Sequence, residues 1–154
     1  MMFELPAEIT AYLSELDAFI EREIKPIEQR DDNIRFFDHR RENARTDWDN
    51  DGHPRADWWA LLAEMRAVAD KAGHYRFAIP AEFGGKDGSN LAMAAIRYHL
   101  AKKGLGLHND LQNESSIVGN LVQVLMLRDF GTEQQKRDFI PQMLAGKMGW
   151  SFGL

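Results

Sequence analysis

Among the residues able to do chemistry, the run Asp47-Trp48-Asp49-Asn50-Asp51-Gly52 comes first. Alternating carboxylates followed by glycine fill the first six positions of a calcium loop, where hard oxygen ligands converge on one ion and glycine permits the sharp turn. The later positions do not continue the pattern. The eighth is Pro54, and the twelfth, which should supply a bidentate carboxylate, is Trp58. The run therefore reads as a capped acidic turn leading into a helix. Gly104-Leu105-Gly106 is part of a dinucleotide fingerprint, but it lacks the third glycine and follows a helical pattern instead of a strand. The histidines, His39, His53, His74, His99 and His108, show neither HExxH nor another paired ligand spacing. None sits beside an obvious nucleophile, so they read as surface or core side chains. Glu21 and Glu23 face different sides of a helix and cannot share a proton. The chain has no cysteine, which removes thiolate nucleophiles, thiolate metal sites and disulfides together. No residue earns a catalytic or metal-ligating role on these grounds.

The elements that would position a site follow from periodicity. The 154 residues are 44% hydrophobic and 28% charged, the balance of a single globular domain. A net charge of -5, from 19 Lys and Arg against 24 Asp and Glu, has the wrong sign for a protein that binds by neutralising phosphates, so nucleic acid is not an expected partner. No window approaches the roughly 18 apolar residues of a membrane span. The first residues lack a basic leader, so a cytoplasmic location is the default.

Pro6, Ala7 and Glu8 suit a helix start, and Ile9, Tyr12, Leu13, Leu16, Phe19, Ile20, Ile24 and Ile27 form one stripe behind them. Pro26 should kink or end that helix. Residues 31–57 alternate in charge and read as a solvated, partly helical connection. A second helix from about Ala56 buries Trp58, Leu61, Leu62, Met65, Val68 and Ala69 and stops before Gly73. Residues 79–85 make a turn-rich loop. Ser89 or Asn90 caps a helix over 91–103 whose apolar residues surround most of its circumference, predicting burial on more than one side. Residues 115–128 are long enough for a central helix. Thr132 and Gln135 form a capping-box pattern, and the helix behind them is interrupted at Pro141 and closes at Gly146. From there Met148, Trp150, Phe152 and Leu154 alternate with Lys147, Gly149, Ser151 and Gly153, a period of two that predicts a strand. The expected fold is all-α, an orthogonal or up-down helical bundle over 1–146. The extended segment 147–154 is expected to be the first strand of a β domain beyond it, because a lone strand leaves its backbone groups unpaired.

Three stretches resemble the acyl-CoA dehydrogenase family in order and spacing. They are Asp51-Gly52-His53-Pro54 with Trp58, then Ile79-Pro80-Ala81-Glu82-Phe83-Gly84-Gly85, and then Phe130-Gly131-Thr132-Glu133-Gln134-Gln135-Lys136 continuing through Ile140-Pro141 and Gly146-Lys147 to Trp150-Ser151-Phe152-Gly153-Leu154. The stretches 32–50 and 66–76 are longer than the family's usual connections. The resemblance implies an amino-terminal helical domain of that type, joined in the full enzyme to a β middle domain and a helical carboxy-terminal domain, as a homodimer or homotetramer around non-covalent FAD. It implies α,β-dehydrogenation of an acyl-CoA substrate, with electron-transfer flavoprotein as partner, and a base and main flavin motif outside these residues. It further implies that Phe152, Gly153 and Leu154 approach the flavin ring, and that Asn113, Ile117 and Leu121, four apart on one helical face, line the acyl cavity. Ordinary core packing accounts equally well for Ile117 and Leu121. Two other readings stand beside this one: a free-standing helical interaction module, and a relative with flavin oxidase or monooxygenase-like chemistry.

Overall fold

The computed structural model describes residues 4–112 and 120–150. Helix α1 spans Ala7–Phe19, with the Pro6 carbonyl accepting from the amides of Ile9 and Thr10. It continues through a π turn, Ile20–Ile24, into α2, Lys25–Gln29. Pro26 accounts for the wide turn: its ring would crowd the carbonyl four residues back, and a π turn spreads the backbone there. As expected, the helix ends soon afterwards.

The connection that follows is less solvated than the sequence predicts. A 3₁₀ turn, Asn33–Phe36, leads to the short helix α3, Arg41–Arg45, and then to an antiparallel pair, β1 (Thr46–Asp47) and β2 (His53–Pro54). Phe36 and Phe37 are buried and lie 5.1 and 5.9 Å, centroid to centroid, from the Trp58 ring. Arg35 and Arg45 conceal this in the sequence, because their charges lie over the rings of Phe36 and Trp58 at 4.2 and 4.4 Å. Arginine covers an aromatic face while keeping its charge near water, so charged neighbours do not mark an exposed phenylalanine. The acidic run is the turn of the hairpin, its Asp47 carbonyl accepting from the amides of Asn50 and Gly52.

Helix α4, Ala56–Lys71, buries Trp58, Leu61, Leu62, Met65 and Ala69 and ends at Gly73, whose positive φ of 79° a left-handed cap requires. Helix α5, Asn90–Lys102, is capped by Ser89, which accepts from the amide of Ala92 at 3.2 Å. It buries one face, through Ala92, Met93, Ala95, Ile96 and Leu100, while Leu91 and Tyr98 are exposed. The expected burial on several sides is corrected: much of the helix's apolar count is alanine, and Tyr98 lies under the Lys102 ammonium at 5.5 Å. With Leu107 and Leu111 from a 3₁₀ turn, Leu107–Leu111, these helices make the larger core.

A smaller core joins Ile79 to Val124, Leu127, Ile140 and Met143 of α6 (Val122–Phe130) and α7 (Glu133–Leu144). Both bonds of the capping box are present: Thr132 accepts from the Gln135 amide at 3.2 Å and Gln135 accepts from the Thr132 amide at 2.8 Å. Pro141 does not interrupt α7 as expected: it removes one bond, its own N–H to the carbonyl four residues back, and the helix continues to Leu144. Gly146 closes the helix with φ 67°. Residues 147–150 carry no regular structure, and the rest of the expected strand lies outside the described residues. Among the described residues no helix is long and apolar enough to cross a membrane.

Candidate functional site

Of the residues assigned by resemblance, Leu121 is described; Asn113, Ile117, Phe152, Gly153 and Leu154 lie outside the described residues. Leu121 does not occupy a helical face. It precedes α6 in the left-handed region, φ 58° and ψ 34°, and its half-buried side chain packs on the smaller core. A Cβ meets its own backbone in that conformation, which costs about 1–2 kcal/mol. Asn120 holds the turn in place. Its buried side chain donates from Nδ2 to the carbonyls of Tyr75 (3.0 Å) and Leu111 (2.9 Å), while the Leu121 carbonyl accepts from the Val124 amide at 2.9 Å. Nothing in the sequence singles out Asn120, since it falls within an apolar run that reads as continuous helix.

Below this turn, Arg76 ties the two cores together. Its guanidinium grips Asp70 with two bonds of 2.7 and 2.8 Å and also donates to the Leu144 carbonyl at 3.0 Å, at the negative end of α7. The loop 79–85 turns tightly beside it. At Gly85 a Cβ would lie 1.7 Å from the Ile79 carbonyl oxygen, so the loop closes only around a glycine there.

The far side of α6 and α7 is an apolar ledge. Phe130 is 87% exposed, Trp150 is 46% exposed and Met126 lies beside them, around a shallow groove of about 210 Å³ that Leu127, Gly131 and Gln135 complete.

Titratable groups lie elsewhere. Burial lowers the pKa of His74, whose Nδ1 pairs with the Tyr12 hydroxyl at 2.9 Å; burial in turn raises the Tyr12 pKa, assisted by Glu15. Burial also lowers the pKa of His108. His99 and Lys103 share Asp17 at 2.7 and 2.8 Å; burial alone would raise the Asp17 pKa, but these two bonds outweigh it and hold the carboxyl below its usual range. His39 and His53 are exposed. A cleft of about 420 Å³ is lined by Tyr12, Phe77, Lys86, Asp87 and Ser89, and there the Ser89 hydroxyl caps α5 and the Asp87 carboxylate accepts from the Ala81 amide. Among the described residues no group of three or more side chains could hold a metal ion. What these residues offer chemically is an apolar wall.

The family model described as acyl-CoA dehydrogenase, N-terminal domain, matches residues 28–147. Neither a curated protein nor a solved structure matches the chain. The matched stretch begins at the buried Glu28 of α2 and runs through the hairpin, α4 to α7 and the Arg76 clasp to Lys147, taking in the smaller core, most of the larger one and the strained turn at Leu121. With most of its length and helices α3 to α7 inside that match, the chain belongs to the acyl-CoA dehydrogenase family, as an N-terminal domain.

Proposed function

We propose that the chain forms the acyl-cavity side of an FAD-dependent acyl-CoA dehydrogenase. The observation that carries this reading is the family match over residues 28–147, which takes in the three ordered motif stretches up to Lys147. Asn113, Ile117 and Leu121 form part of the wall against the acyl chain, and the backbone of Phe152, Gly153 and Leu154 approaches the flavin. FAD, when bound, would supply the acceptor for a hydride from the β carbon of the thioester, while a base outside these residues takes the α proton and the double bond forms between the two carbons. The chain's own part is to bury the acyl chain and keep water from it.

The residues fit part of the cofactor. The ledge of Met126, Phe130 and Trp150 is apolar and suits the face of a flat ring, whereas a diphosphate needs donors and cations that the ledge does not supply. The cofactor is then held jointly with other parts of the enzyme, a homodimer or homotetramer of the cytoplasm that passes electrons to electron-transfer flavoprotein. By itself the 154-residue chain is expected to be colourless and inactive. The test is anaerobic addition of acyl-CoA thioesters of graded length to the enzyme carrying this domain, read as bleaching of flavin absorbance. An enzyme that retains no FAD, or whose flavin no acyl-CoA reduces, overturns the reading. Rapid reoxidation by oxygen would move it to the oxidase-like relatives.

A further inference from the structure

The segment 104–112, which connects α5 to Asn120, is seated on two buried polar groups that the acyl-cavity reading does not use. Glu28 of α2 is buried, and its Oε2 accepts from the Leu107 amide at 2.5 Å, so the carboxylate caps the 3₁₀ turn that carries Leu107 and Leu111 into the core. His108 is 3% exposed. Its Nε2 is buried without a partner. A neutral imidazole can leave Nε2 as a bare lone pair, whereas an imidazolium must hold an N–H there with no acceptor to meet it.

Gly106 shows how little slack the arrangement has. A Cβ there would lie 2.6 Å from both Cε1 and Nδ1 of His108 and 2.7 Å from Glu28 Oε2, so the loop, the ring and the carboxylate pack against one another directly. Adding a proton to Nε2 creates an N–H and a positive charge in a place from which water is excluded. Two responses relieve it: the ring leaves for solvent, or Glu28 abandons the Leu107 amide to meet the new N–H. Either one unseats Leu107.

We propose that His108 is an acid-operated latch that holds segment 104–112 down when neutral and releases it when protonated. The charged groups facing the ring are Glu28 and Lys25 from α2 and Lys103 at the end of α5; the π turn and α4 contribute Ile20, Ile24, Leu61, Leu62 and Met65 to the same core. Burial disfavours the imidazolium most, Glu28 and the Gly104 carbonyl favour it, and Lys25 and Lys103 oppose it, leaving the pKa below the ordinary 6.5. A released ring takes up its proton at that ordinary value. The closed state is therefore fully favoured above it and loses ground as pH falls toward the depressed value.

The experiment is amide hydrogen exchange over residues 104–112 at about pH 7.5 and about pH 5.5, corrected for the intrinsic pH dependence of exchange, with opening expected to become about tenfold more frequent per unit of differential titration. In His108→Asn, whose planar polar side chain does not titrate, protection is expected to be the same at both values. Unchanged protection in the wild type overturns the proposal. So does acid opening that persists in His108→Asn, which would point to His74 instead. Should that variant not fold, the wild-type imidazole resonances decide. A His108 titration that coincides with opening supports the latch, and one that is displaced from it overturns it.

Discussion

Asn120 commits its amide hydrogens to the backbone carbonyls of two distant residues, Tyr75 and Leu111. Leaving buried acceptors unmet costs about 1–3 kcal/mol, more than the bonds themselves contribute on balance. The Asn120→Ala change is accordingly expected to destabilise the chain by about 1–3 kcal/mol in urea unfolding, with the loss concentrated where α6 begins. A variant as stable as the wild type would mean that the turn at Leu121 is held by something else. Asn120 was not legible in the sequence because its partners lie 9 and 45 residues away, outside any window in which a pattern could reveal them. Phe36 and Phe37 were hidden differently: each sits among arginines whose side chains, once folded, shield the aromatic rings from solvent.

At the scale of elements, what could be read is what closes within a turn or two. The capping box of α7 needs only Thr132 and Gln135, and both of its bonds form. Replacing Thr132 by alanine is expected to lower stability by about 1 kcal/mol, seen as a shifted melting midpoint with an unchanged denaturant slope. A changed slope would show instead that α7 had come away from the smaller core. The stripe of α4 was legible for the same local reason, whereas the start of α6 was not, because long-range bonds to Asn120 override a sequence whose periodicity continues upstream. Pro141 shows the limit of a local rule from the other side. It forbids one bond of the ladder, and the remaining bonds carry the helix past it to Leu144.

Across the whole molecule, the Arg76 clasp makes the two cores one body, and Phe130, the most exposed large hydrophobic side chain among the described residues, lies on the outer side of α6. A side chain 87% exposed contributes little to folding, so Phe130→Ser is expected to leave the unfolding free energy of the 154-residue chain within about 0.5 kcal/mol of wild type. If the ledge meets the flavin or the acyl chain, the same change removes apolar contact worth about 2 kcal/mol in the assembled enzyme. That corresponds to about a thirtyfold weaker hold on FAD or acyl-CoA, measurable by flavin retention and by titration of the oxidised enzyme. The two measurements discriminate because folding and binding draw on different faces of α6. Val124 and Leu127 point into the smaller core, while Met126 and Phe130 point away from it. Loss of stability without loss of binding would make Phe130 part of the fold, and the ledge would then no longer support the assignment of this face to the cofactor or substrate.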